Sequence, residues 1–196
     1  KGHAEDSAYA ICTTSLQNAG EAIFEAAEES PILDRVLEGS ESRVLHLLGA
    51  TGVVRREELN GRKHLVVPVV ALMEGVIHAV NADTPEFVSG DVLKRAAASW
   101  IGKPVTLGHS ARAGKQCSAS DATIRKDSGI GVIMKSEYLE NGRKLSQEAW
   151  IDEEKAKKLD SRMYESLASG GREEVSVGAM VVANSIAGNH NGKGYK

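Results

Sequence analysis

The chain has 196 residues, is 41% hydrophobic and carries a formal net charge of -3. That length buries a real core and fits one main domain with an appendage better than two full domains. The acidic balance and the lack of a long basic stripe disfavour a nucleic-acid partner, and no apolar run approaches the ~20 residues that span a bilayer.

Arg55-Arg56 and the cluster at 155–158 are small basic exceptions. The two cysteines, Cys12 and Cys117, stand far apart, which fits a reducing compartment better than a disulfide framework. With no signal-peptide pattern at the start, the expectation is a soluble, intracellular protein without a membrane or nucleic-acid partner. The chain opens on Lys1 and closes on a turn signal followed by the start of a strand, so further sequence is expected at both ends.

From about Glu5 to Leu48 the pattern predicts helix. Ala8, Ile11, Cys12, Ser15, Leu16 and Ala19 form one apolar stripe, and Ala22, Ile23, Ala26 and Ala27 a second. Ser30-Pro31 then offers an N-cap with proline at the first helical position, and Gly39 ends that run. Residues 1–50 are accordingly expected to be a helical N-terminal extension. Its Ala8 to Cys12 segment reads as a helix packing onto a neighbour.

From Thr51 the period becomes strand-like. Val53-Val54 and Leu65-Val66-Val67 flank Asn60-Gly61, a strong hairpin signal because both turn residues tolerate positive φ. Pro68, inside the apolar run Leu65 to Leu72, predicts a bulge or an edge position. Gly75 to Val80 reads as a further strand. A helix fits Gly90 to Trp100, with Asp91 as cap or first-turn acid.

Pro104 to Gly108 predicts a short strand ending at His109, and the polar stretch 110–128 predicts a mobile loop. Gly129 to Tyr138 and Leu145 to Ile151 form a hairpin across Asn141-Gly142. Asp152 caps a helix running to about Ala168, with Glu153/Lys157 and Glu154/Lys158 at i, i+4 spacing. Gly170-Gly171 ends it, and Glu174 to Ala183 reads as a strand carrying Ser176. Many short strands with few helices predict an α+β fold on a largely antiparallel sheet or barrel in residues 51–196.

Two short motifs carry the chemistry: Pro104-Val105-Thr106-Leu107-Gly108-His109 and Glu174-Val175-Ser176-Val177-Gly178. A serine hydroxyl is a poor nucleophile until a neighbouring base takes its proton, so a serine and a histidine fixed by strands are the minimum for acyl transfer. Each residue by itself has a plain structural explanation, since buried or strand-end polar groups are ordinarily just hydrogen-bonded.

Together with Val67-Pro68-Val69-Val70, Gly75-Val76, Trp100-Ile101-Gly102-Lys103 and the closing Asn191-Gly192-Lys193-Gly194-Tyr195, in this order, the motifs resemble those of the tailed-phage prohead maturation proteases. The resemblance covers Val67 to Lys196. It implies an assemblin-like β-barrel wrapped by helices and a serine endopeptidase inside the immature capsid, in the host cytoplasm. Such an enzyme cleaves scaffold or major capsid protein, and commonly itself. Ser176 matches the nucleophile and His109 the general base, while the third catalytic member is expected beyond Lys196. A homodimer is a further expectation.

Within the chain, His64, His78, Asp83, Asp152, Glu174 and His190 are the other polar candidates for a third member. Asp152 is better explained as a helix cap, and Glu174 shares the face of Ser176 on a strand. Cys117 has no flanking base, which argues against a thiol nucleophile. No metal motif is present and Gly129-Ile130-Gly131 is too little for a nucleotide loop, so no cofactor is expected. The rival reading is a non-enzymatic capsid-interior scaffold or docking protein with an incidental Ser/His pair.

Overall fold

The structure, a computed structural model, describes residues 41–48, 53–79, 82–108, 111–112, 115–116, 118–171, 174–181 and 183–196. The centre is a five-stranded antiparallel sheet in the order β2-β3-β10-β9-β6. Its strands are β2 (Arg55–Leu59), β3 (Arg62–Met73), β6 (Pro104–Thr106), β9 (Gly129–Leu139) and β10 (Lys144–Asp152). Four two-stranded sheets surround it: β1 (Glu41–Leu48) with β11 (Glu174–Val181), β4 (Gly75–Ile77) with β5 (Glu86–Val88), β7 (Ala111–Arg112) with β8 (Lys115–Gln116), and β12 (Gly188–His190) with β13 (Lys193–Tyr195). The helices are α1 (Gly90–Ala96), continued by a 3-10 turn at Ala97–Trp100, α2 (Ala122–Ser128), α3 (Glu153–Leu159) and α4 (Ser161–Ala168). The class is α+β with a mainly antiparallel sheet, and among the described residues the sheet is open, with no ring of strands closed.

Turn chemistry sets the registers. Asn60 and Gly61 both take positive φ between β2 and β3, as do Gly142 and Arg143 between β9 and β10 and Asn191 and Gly192 between β12 and β13. Pro68 lies opposite Glu148 of β10, but β2 pairs with β3 only as far as Val66. On that side β3 is locally an edge, and the missing proline N–H costs no ladder bond. The irregularity in β3–β10 comes further along, between Leu145 and Ser146.

The core forms on one face of this sheet. Leu65, Val67, Val69 and Ala71 of β3 alternate inward with Leu145, Ala149 and Ile151 of β10, and Leu93, Trp100, Ala156, Tyr164, Leu167 and Val177 close over them. Leu145 is 0% exposed. Complete burial of such a side chain is worth about 1.5–3 kcal/mol, so this layer dominates the fold's stability.

Three expectations are corrected. The helical reading of the N-terminal extension fails at its end: Glu41–Leu48 is extended and pairs along its whole length with β11, from Glu41 opposite Val181 to Leu48 opposite Glu174. In that ladder Leu45 comes opposite Val177 and Leu47 opposite Val175. Residues 1–40, with the predicted stripes and the Ser30-Pro31 start, lie outside the described residues.

The stretch 110–128 is no continuous loop. Asp121 accepts the N–H groups of Thr123 and Ile124 at 2.8 and 3.2 Å and starts α2, whose Ile124 is buried. The expected helix 152–168 is two. Asp152 caps the first, accepting from Lys155 N at 3.1 Å, but Asp160 is extended (φ -153°, ψ 97°) and caps the second by accepting from Met163 N at 2.9 Å. A second capping aspartate in mid-pattern ends one helix and starts the next. The Glu153/Lys157 pair forms at 3.2 Å.

Candidate functional site

Ser176 lies in β11, and the burial of its neighbours fixes the sense of the strand. Val177 is 6% exposed and Ala179 packs against the core, whereas Gly178 is exposed and a Cβ placed there meets no atom within 4 Å. Since successive residues alternate between faces, positions 174, 176, 178 and 180 share the face away from the core. Gly178 marks that face as open immediately beside Ser176. The β1–β11 register brings Ser42, Val44, His46 and Leu48 to the same face, with His46 directly opposite Ser176.

The first motif forms a braced hook. Trp100 and Lys103 are buried, and Gly102 takes φ +82°. Gly102 N donates to Ile133 O at 2.8 Å, while Ile133 N donates to Lys103 O at 2.8 Å, so the Trp-Ile-Gly-Lys turn clasps β9. β6 follows as an edge strand, with Val105 opposite Gly131 and a register shift before Thr106, opposite Gly129. Leu107 N donates to Ser128 O at 2.8 Å, and Gly108 turns the chain with φ +73°. The backbone is thus held up to the residue before His109, which itself lies outside the described residues, as does Cys117. Leu107 and Val105 pack against the same core cluster as Val177, so the two motifs border one core.

The other candidates have local structural roles or none that the geometry assigns. His64 is buried on β3, its Nδ1 hydrogen-bonded to Arg62 O at 3.0 Å and its ring 5.9 Å from that of Trp150. His78 Nε2 meets Ala82 O at 3.1 Å. His190 packs its ring 4.6 Å from Phe87, which also stacks on Tyr195 at 5.1 Å, and so fastens the β12–β13 hairpin to β5. Asp83 is exposed on a bend. Asp152 caps α3, as its sequence position predicted, and it also pairs with Arg62 at 3.5 Å. Glu174 begins β11, two residues before Ser176 and on its face. His46, in a segment whose pattern reads as helix, comes opposite Ser176 only through the β1–β11 register.

Electrostatics elsewhere are those of structural clamps. Buried Glu153 accepts the Tyr164 hydroxyl, which holds its carboxyl below the usual range against the opposing effect of burial, with help from Lys157 at 3.2 Å and Arg56 at 3.3 Å. Glu74 is likewise depressed, first by Arg143 at 2.7 Å and then by Gly90 N–H, and links the end of β3 to the start of α1. A cleft of about 340 Å³ lies beside Glu74, His190 and Lys193, and among the described residues none of β6 or β11 lines it. Among the described residues no three His, Cys, Asp or Glu side chains cluster as metal ligands would, and no helix is long and apolar enough to cross a membrane.

No family model matches the chain, and neither a curated protein nor a solved structure does.

Proposed function

We propose that this chain is a serine endopeptidase of the prohead-maturation type, acting on scaffold or major capsid protein inside the immature capsid and on itself. The observation that carries the reading is the setting of Ser176: its strand anchors through Val177 in the core and turns the serine's face toward the open side marked by Gly178. An extended peptide can approach such a face while the nucleophile stays fixed by the strand. The clasped backbone leading to His109, and the order of the motifs along the chain, support it further. On this reading the open sheet and the β1–β11 pair are parts of an assemblin-like barrel, and two copies associate as a homodimer.

In the reaction, Ser176 Oγ attacks the scissile carbonyl while an imidazole, by the motif that of His109, takes its proton and later protonates the leaving amine. Backbone N–H groups stabilise the oxyanion. A fluorophosphonate reagent tests the nucleophile directly. One adduct on the wild type and none on Ser176→Ala is the expected result, and an unlabelled wild type returns the chain to the scaffold reading.

A further inference from the structure

Two of the hairpin turns are near copies of one another. Asn60-Gly61 and Asn191-Gly192 each join a pair of antiparallel strands, and both residues of each take positive φ, 52° and 74° in the first turn, 50° and 81° in the second. All four residues are exposed, and a cation follows each pair, Arg62 in one turn and Lys193 in the other. Such a dipeptide is open to a chemical change: with no Cβ on glycine in the way, the glycine nitrogen can reach the carbonyl carbon of the asparagine side chain. The Asn141-Gly142 turn puts its positive φ on Gly142 and Arg143 and so does not share this geometry.

The hydrogen bonds around the two matching turns differ. Gly192 N donates to Asn189 Oδ1 at 3.0 Å, and Asn191 Nδ2 donates to His190 Nε2 at 3.1 Å. The first bond ties up the attacking nitrogen. The second sets an acceptor against the leaving nitrogen, whose departure as ammonia needs a proton instead. At the other turn no group among the described residues accepts from Gly61 N–H or bonds the Asn60 side-chain amide. Glu58 holds there the place that Asn189 holds in the second turn.

We propose that Asn60 is a site of spontaneous modification to isoaspartate, and that Asn189 guards Asn191 against the same reaction. Hydroxide takes the Gly61 amide proton, and the nitrogen forms a bond to Asn60 Cγ. The Cγ–Nδ2 bond then breaks, and ammonia leaves with a proton from water, which restores the hydroxide and closes a cyclic succinimide. A second water opens the ring, at the side-chain carbonyl to give isoaspartate's isomer aspartate when the original chain path is kept, or at the main-chain carbonyl to give isoaspartate, in which the chain runs through Cβ and Cγ. Nothing is oxidised or reduced. The isoaspartyl form lengthens the β2–β3 turn by a backbone atom and adds a negative charge. β2 is an edge strand whose Arg55 and Arg56 clamp Glu148 and Glu153, so the altered turn bears on both clamps.

The test incubates the full chain, folded, in heavy-oxygen water at mildly alkaline pH, with a second sample in urea, and maps the peptides around residues 60 and 191 by mass spectrometry. Incorporated heavy oxygen marks each ring that water has opened. Each folded rate is divided by its own rate in urea, which removes what the neighbouring residues contribute. On that scale Asn60 is expected to convert about tenfold faster than Asn191, because two hydrogen bonds of ordinary worth must open before attack at the latter. Asn189→Ala should bring Asn191 close to the Asn60 rate. Equal normalised rates in the wild type, no conversion of Asn60 in the fold while the urea sample converts, or an Asn191 that stays slow in Asn189→Ala overturns the proposal. The wild-type ratio is read without the variant and stands whether or not the variant folds.

Discussion

His46 and Ser176 stand directly opposite one another in the antiparallel pair that joins the N-terminal strand to the strand of the second motif. The pairing joins residues 41–48 to β11 along the whole length of both strands. Removing β1 would leave the ladder side of β11 unpaired along eight residues.

A deletion ending at Leu48 should therefore be much more damaging than one ending at Ser40. Cross-strand pairs contribute roughly 0.2–1 kcal/mol each, so the difference between the two deletions should be several kcal/mol. At about 2–4 °C per kcal/mol for a chain of this size, their melting temperatures should differ by about 5 °C or more. Equal melting temperatures would show that β1 does not hold β11.

The hairpins were the most legible part of the fold: Asn60-Gly61 and Asn191-Gly192 specify their turns through local backbone preference, and at the β9–β10 turn the positive φ falls on Gly142 and Arg143, one residue later than the Asn141-Gly142 signal. Helix starts at Asp121 and Asp160 were missed for a shared reason: a capping aspartate acts over three residues, and both stand within stretches whose composition points elsewhere, polar loop in one case and continuous helix in the other. The pattern of β1 reads as helix because Val44, Leu45, Leu47 and Leu48 fall at helical spacing, and only a partner strand far along the chain makes the segment extended. At the candidate site the sequence singled out Ser176 and His109 as candidates, whereas the clasp of the Gly102–Lys103 turn on β9 and the pairing of β1 with β11 are long-range properties.

Two glycines should respond in opposite ways. Gly131 lies between Val105 of β6 and Ile151 of β10, and a Cβ there would meet the backbone oxygen of Trp150, which cannot swing aside. Gly131→Ala should cost about 1–3 kcal/mol or more and lower the melting temperature accordingly. Gly178→Ala meets open space, so it should leave stability nearly unchanged while slowing cleavage of a peptide that uses that face. Thermal melts and a peptide-cleavage assay separate the two effects.

Acid should unfold the protein through its clamped carboxylates. Glu153, Glu74 and Glu148 are all held below their ordinary values, first by Tyr164, Arg143 and Arg55 respectively. A carboxyl whose folded value is depressed contributes stability that is complete above its unfolded value, about 4.3, and is lost as pH falls through the folded one. Urea unfolding should show stability declining below about pH 5, with a shallower decline in Glu153→Gln. An identical slope in that variant would remove Glu153 from the account.

The central claim is that Ser176 cuts peptide bonds. Its most direct measurement is intact-mass spectrometry over time of the full gene product, incubated with its capsid protein beside a Ser176→Ala variant. The account predicts that the wild type shortens itself or the capsid protein at discrete sites while the variant leaves both whole. Wild-type and variant mixtures that remain equally intact, or are cut equally, would contradict it.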